Sequence, residues 1–254
     1  MSELILLDVF SYSCMNCLRS LGFIKKIDNR YRKFGLKTII VHPPEWEFEK
    51  DSKNIIGTLK DYNINFPVII DKNRKIIKKL KISFWPAQIL TERGKILYKN
   101  VGEGNYKELE DRIVKFLKIS SKRIFRLEPK CSKFSTVYCG KRKRGKIKKL
   151  NKNIKFGYIY VDGNWIQKQE YVKSLKNNSY LTILTKGKIT NLVAESLGKK
   201  PIKISIKLND KGIDAISVNK PQLHNIIKLK NNNKQNKLTI TANKNLAIYS
   251  FSFQ

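Results

Sequence analysis

The chain is short of acid: 20 Asp and Glu stand against 53 Lys and Arg in 254 residues, a formal net charge of +33. Such a field draws anionic partners and makes their binding salt-sensitive. Most of the excess, however, is Lys spread over every segment among many Ile and Asn, a pattern that compositional bias also leaves. Dedicated nucleic-acid binding is therefore not the leading expectation. Cysteine occurs only four times, too seldom for a disulfide scaffold, so its spacing has to carry its meaning. No run of about 18 apolar residues occurs, which leaves no segment able to span a membrane as a helix. The N-terminal Met1-Ser2-Glu3 runs straight into Leu4–Phe10 without a basic n-region or a small-residue cleavage site, and on that pattern the expected location is cytoplasmic.

What is present divides the chain in two. A domain-length prior of roughly 100 to 200 residues allows one or two domains. In the first half, the apolar run Leu4–Phe10 is followed by Leu18, Leu21, Ile24, Ile27 and Tyr31 at near-helical spacing. Lys37–Val41 and Phe66–Ile70 read as buried strands on either side of a helix at Lys53–Tyr62, completing a βαβαβ order. A basic amphipathic stretch at Lys72–Ile82 precedes Ala87–Thr91 and Lys95–Val101, which flank Glu92-Arg93-Gly94 as a hairpin would. Asn105 with Glu108 predicts a capping box for a last helix carrying Leu109, Ile113, Phe116 and Leu117. The first domain is expected to cover 1–118.

From 119 to 254 the period changes from helical to alternating, clearest in Ile202–Leu208 and in Ala247, Tyr249, Phe251 and Phe253. Further short strands are predicted at Tyr158–Val161, Glu170–Leu175, Tyr180–Leu184, Ile213–Val218, Gln222–Leu229 and Lys237–Thr241. The expected fold class is an α/β domain followed by an all-β, jelly-roll-like sandwich.

Chemistry concentrates in Cys14-Met15-Asn16-Cys17, placed between a predicted strand and a predicted helix. Two Cys at this spacing can close a small disulfide, and a helix N-terminus favours a thiolate on the first. Cys14 is the expected nucleophile. Cys17, one turn on, is placed to resolve the mixed disulfide. A zinc half-site would need partners from Cys131, Cys139, His42 and His224, none at a C-x₂₋₄-C spacing, so neither a metal nor another cofactor is expected. An inert pair remains the other alternative. Ser83-Phe84-Trp85-Pro86-Ala87 precedes an apolar strand, and a Pro there can simply mark an edge or a turn.

Asp8–Cys17, Val41–Glu49, Trp85-Pro86-Ala87 and Gly102-Glu103-Gly104, taken in order, resemble the TlpA/DipZ-type thioredoxin-like family over the whole first domain. The second half resembles, more weakly, the carbohydrate-binding-module-like sandwich of DipZ-like proteins, through Val137–Gly140, Gly163–Trp165 with Glu170-Tyr171, and Tyr249–Phe253. The resemblance implies a thiol–disulfide oxidoreductase acting on protein disulfides; the motif by itself does not give the direction of exchange, and reductant is favoured over oxidant. Pro86 would be a cis-proline presenting its carbonyl edge to substrate backbone. Tyr12 and Trp85 would wall the sulfurs. Glu45 would either relay a proton to Cys17 or lie exposed in a loop, with His42 beside it in an equally open role.

The sequence also departs from the family. Ser20 stands where some relatives carry a Glu, and the membrane electron-transfer domain is missing. Electrons would then come from a separate CcdA-like membrane protein or a soluble reductase. Family habit points to an extracytoplasmic setting, against the cytoplasmic expectation above. The alternative function is a binding or adaptor protein whose sandwich recruits an anionic partner (nucleic acid, lipid or glycan) through the basic run 141–149. Trp165, Tyr158, Tyr160 and Tyr171 would be a sugar-stacking platform or, more simply, core. Cys131 and Cys139 are spaced so that a disulfide is permitted but not required.

Overall fold

Alternating and helical apolar periods become two separate compact units in the computed structural model, Met1–Cys131 and Ser132–Gln254. The structure describes residues 3–120, 122–128, 136–230 and 234–254.

In the first unit the order is β1 (Leu4–Val9), α1 (Met15–Tyr31), β2 (Leu36–His42), α2 (Ser52–Asp61), β3 (Val68–Ile70), α3 (Lys75–Lys79), β4 (Ala87–Glu92), β5 (Lys95–Val101) and α4 (Tyr106–Leu117). The sheet runs β3-β2-β1-β4-β5. β1 pairs parallel with β2 and antiparallel with β4, so the first strand becomes the centre. Strand parity then sorts side chains to the two faces. Leu4 and Leu6 enter a core with Ile24 and Ile27 of α1 and Ile113 of α4. Val9, Val41 and Ile89 meet Ile77 of α3 on the other side. The β4–β5 hairpin turns through Arg93 (φ 50°) and Gly94 (φ 78°), the pair of positive φ values that a tight two-residue hairpin loop needs.

Two expectations are corrected here. The first unit does not stop at 118: Phe125 is buried in the α1–α4 core, and the buried Glu110 carboxylate accepts the backbone N–H groups of Ile124 (2.7 Å) and Phe125 (2.9 Å). Nor does Asn105 form a capping box. It sits at φ 58° with its amide on Asn100, while Glu108 pairs with Arg112. The Glu128 carboxylate caps the helix instead, accepting from Tyr106 N (3.0 Å) and Lys107 N (2.9 Å). A negative group on those amides satisfies orphan donors and opposes the helix dipole.

The second unit contains β6 (Thr136–Tyr138), β7 (Ile147–Lys149), β8 (Ile159–Asp162), β9 (Trp165–Gln167), β10 (Val172–Ser174), β11 (Ser179–Thr185), β12 (Ile189–Ser196), β13 (Ile202–Leu208), β14 (Lys211–Val218), β15 (Gln222–Lys228), β16 (Asn236–Ala242) and β17 (Leu246–Phe253). They form a β15-β12-β17-β10-β9 sheet, with β6 beside β17, and a β14-β13-β16-β11-β8-β7 sheet. One core takes Leu192, Ile248 and Phe251 from the first sheet and Leu181, Ile204 and Ile240 from the second. Sequence periodicity missed β12. It lies between β15 and β17, is buried from Thr190 through Ala194, and is broken by two register shifts, so the alternation that marks a half-buried strand is absent.

Candidate functional site

The Cys14–Cys17 pair sits where β1 turns into α1. Cys14 is the N-cap residue (φ −89°, ψ 113°), and its Sγ accepts the Cys17 backbone N–H at 3.4 Å. The first sulfur therefore faces the positive end of the helix. Cys14 is half-buried, whereas Cys17 is fully buried on the inner face of the first turn. Burial pushes the Cys17 thiol well above its ordinary value, and the neighbouring Cys14 and the charge of Asp8 push in the same direction.

Asp8 is the residue that sequence reasoning quoted without assigning it work. It shares the parity of Leu4 and Leu6, which sends its carboxyl into the α1 side of the sheet with no exposure. Desolvation raises its pKa from 3.8 to about 7, against the lowering pull of a Gln88 hydrogen bond at 3.1 Å. Its Oδ2 has no hydrogen-bond partner among the described residues. Gln88 faces Asp8 across β4 and also donates to Ser20 Oγ (3.2 Å), while Asn100 donates to Gln88 Oε1 (3.0 Å). Ser20, at the place where an acid is absent, thus belongs to the polar row that leads to Asp8. An acid inside the otherwise apolar run Leu4–Phe10 was the signal available in the sequence.

Across from the sulfurs, Trp85–Pro86 is a cis peptide. The Pro86 carbonyl accepts Gly102 N at 2.8 Å. It is the Trp85 carbonyl that lies 4.0 Å from Cys14 Sγ. Gly102 makes this contact at φ 105°, a backbone region that a side chain disfavours. Trp85 is half-buried, its Nε1 donates to Glu45 Oε2 (3.3 Å), and the Arg74 guanidinium lies 5.6 Å over its ring. Beside it, Phe84 is 58% exposed.

The remaining expected residues are all buried nearby. The Tyr12 ring lies tilted 5.6 Å from His42 and 6.1 Å from Phe48. His42 accepts the Tyr12 N–H on Nε2 (3.3 Å). Burial lowers its pKa to about 4, so the ring is neutral at physiological pH. Glu45 accepts from Trp85, and the charge of Asp8 is the smallest of the influences that raise the Cys17 thiol. Glu49, also without an assigned role in the sequence, is fully buried and accepts from Ser11 Oγ (2.7 Å), Ser13 Oγ (2.6 Å) and Glu45 N (2.5 Å). On the outer rim Arg19 joins Glu103 (2.6 Å) and Asn16 (2.7 Å), tying the Cys turn to the Gly102–Gly104 loop. Among the described residues no group of three or more His, Cys, Asp or Glu is placed to hold a metal ion.

In the second unit the four aromatics do not share one row. Tyr158 and Tyr160 are 6.3 Å apart, Tyr171 packs 5.1 Å from Tyr249, and Trp165 donates Nε1 to Asp162 O. The basic run is partly packed: Lys146 and Lys148 lie 5.2 and 4.5 Å over Tyr158, and Arg142 pairs with Glu170 at 2.6 Å. Cys139 is buried, which pushes its thiol up. Cys131, the other member of the permitted disulfide, lies outside the described residues.

Residues 138–253 match the family described as thioredoxin like C-terminal domain. DipZ of Mycobacterium bovis is 30% identical over 116 residues, 45% of this chain and 17% of that protein. NHL repeat-containing protein 2 of Gallus gallus is 36% identical over 109 residues, 42% of this chain and 15% of its own length. The thiol-disulfide oxidoreductase ResA of Bacillus cereus is 28% identical over 112 residues, 44% of this chain and 62% of that protein. Among solved structures, StoA from Bacillus subtilis aligns with a TM-score of 0.38 at 16% identity, covering 43% of this chain and 81% of that one. The match to DipZ and to the NHL repeat-containing protein thus spans less than one fifth of either protein.

Proposed function

We propose that this chain, which is similar to DipZ and ResA over less than half its length and whose residues 138–253 match the thioredoxin like C-terminal domain family, is a thiol–disulfide oxidoreductase working through Cys14 and Cys17. The observation that carries the reading is the asymmetry of the pair. One sulfur is half-open at a helix N-terminus, and the other is buried within reach of the charge of Asp8.

Cys14, as thiolate, attacks one sulfur of a protein disulfide. The S–S bond breaks, the departing sulfur leaves as a thiolate and takes a proton, and Cys14 is left in a mixed disulfide. Asp8, with a pKa near neutrality, accepts the Cys17 proton. The Cys17 thiolate then attacks Cys14 Sγ and releases the second substrate thiol. Two electrons have passed to the substrate, and the Cys14–Cys17 disulfide awaits an electron donor, either a membrane protein or a soluble reductase. Reduction is the proposed direction, because burial disfavours a Cys17 thiolate and so works against the open, ionised form of the pair.

Equilibration with thiol buffers of defined potential tests this. A couple near about −270 mV is expected, one near about −120 mV would reverse the direction, and no reversible couple at all would end the enzyme reading.

A second reading rests on the charge, which is less even than it looked along the sequence. Residues 132–254 hold 26 Lys and Arg but only five acids: Asp162, Glu170, Glu195, Asp210 and Asp214. Salt-sensitive retention on an anionic matrix, unchanged by Cys14→Ser, would favour an anion-recruiting role for this unit.

A further inference from the structure

Glu49 is the buried acid that neither half of the exchange reaction uses, and its contacts run to both walls of the site. Its Oε1 accepts Ser11 Oγ (2.7 Å), Ser13 Oγ (2.6 Å) and Ser13 N (3.3 Å), the two residues on either side of Tyr12. The Tyr12 N–H is itself held by His42 (3.3 Å), and Cys14 N closes a turn onto Ser11 O (3.1 Å). Every residue from 11 to 13 is therefore fastened to the 42–49 segment just before the nucleophile. On the opposite side, Glu49 Oε2 accepts Glu45 N (2.5 Å), and Glu45 in turn accepts Trp85 Nε1 (3.3 Å). Trp85 is the residue whose carbonyl lies 4.0 Å from Cys14 Sγ.

A carboxylate is expensive to bury, and here desolvation raises its pKa in spite of all its donors. A hydrophobic side chain would fill the space more cheaply. What only a bifurcated acceptor supplies is a common anchor for two loops that belong to different parts of the chain, residues 11–13 and residue 85.

We propose that Glu49 is a positioning residue of the redox site: through Ser11 and Ser13 on one oxygen and the Glu45–Trp85 link on the other, it fixes the Cys14 sulfur against Cys17 and against the Trp85 carbonyl. This inference rests on the thiol–disulfide reading above. Holding Cys14 in place raises the effective concentration of one sulfur at the other, which favours the closed disulfide and so makes the dithiol the stronger reductant.

The test compares the parent protein with Glu49→Gln, Ser11→Ala, Ser13→Ala and the Ser11→Ala/Ser13→Ala double variant. The Cys14–Cys17 couple is equilibrated with glutathione buffers, and thermal unfolding is recorded alongside. The Ser variants keep Glu49 and lose only donors, so they remain informative if Glu49→Gln fails to fold. Ile113→Val, in the α1–α4 core, controls for general destabilisation. The double Ser variant is expected to shift the equilibrium about tenfold toward the dithiol, roughly 30 mV. Each single variant shifts it less, and Ile113→Val stays within twofold of the parent. Folded Ser variants within twofold of the parent, or an equal shift in Ile113→Val, would overturn the positioning role. If the parent itself shows no reversible couple, the failure belongs to the proposed function and not to Glu49.

Discussion

Replacing Asp8 by Asn should flatten the pH dependence that this residue gives to the protein's stability between pH 4 and 7. The Asp8 carboxyl is fully buried, and its pKa stands at about 7 against 3.8 for the unperturbed group. Between those values the unfolded chain releases the proton while the folded chain keeps it, so stability falls as pH rises from about 4 to 7 and is level above. At about 1.4 kcal/mol per unit, the full cost is about 4 kcal/mol. The Asp8→Asn change removes that slope. Its amide oxygen, at the place of Oδ1, can still accept from Gln88. Its NH₂ group stands at the place of Oδ2, which has no partner among the described residues, and so leaves a buried donor unsatisfied at about 1–3 kcal/mol. At pH 4 the protonated Asp8 carboxyl carries an unpaired donor at the same place, so the variant is expected to match the parent there and to be more stable at pH 8.

Urea unfolding followed by tryptophan fluorescence, in a Trp165→Phe background so that only Trp46 and Trp85 of the first unit report, reads both curves. Parallel curves from pH 4 to 8 would refute the burial argument. The same variant should lose on the order of 10²-fold in disulfide reduction at pH 7, because Cys17 loses its proton acceptor.

Cys17→Ser is expected to halt the reaction at a mixed disulfide on Cys14, visible as a covalent adduct by mass spectrometry; an adduct on any other residue would contradict the order of attack. His42 acts opposite to Asp8 in sign. Its folded pKa of about 4 lies below the ordinary 6.5, so the parent loses about 3 kcal/mol as pH falls from 6.5 to 4, and His42→Gln should lack that loss in matched unfolding curves. In the second unit, a Cβ on Gly140 would stand 2.2 Å from the Glu170 carbonyl carbon. Gly140→Ala should thus destabilise that unit by about 1–3 kcal/mol or more, while a Tm matching the parent's would show that the strand can move aside.

The parts of this protein that were legible before any coordinates are those written in local order. The Leu4–Phe10 run, the helical period after Cys17, the turn residues Arg93-Gly94 and the alternation of Ile202–Leu208 each follow from backbone geometry acting on neighbours in sequence. The Cys14–Cys17 spacing fixes by itself that both sulfurs lie on one turn of a helix start. Where local signals failed, the partner was distant. Asn105 and Glu108 are a capping box in sequence, but Glu128 reached the amides first. β12 lost its alternation because strands on both sides and a sheet across the core buried it whole.

The sequence alone determined that this chain carries a Cys at a helix start, a second Cys one turn on, a Pro before an apolar strand, and a separate alternating half. Tertiary structure decided what surrounds them. It buried Asp8 against Gln88, turned the Pro86 carbonyl to Gly102 and brought Glu49 to Ser11 and Ser13. Side-chain periodicity is a property of neighbours a few residues apart. The pKa of a buried acid and the partner of a carbonyl depend instead on groups far along the chain, 38 positions from Ser11 to Glu49 and 80 from Asp8 to Gln88, and only the packed sheet brings those within hydrogen-bonding distance.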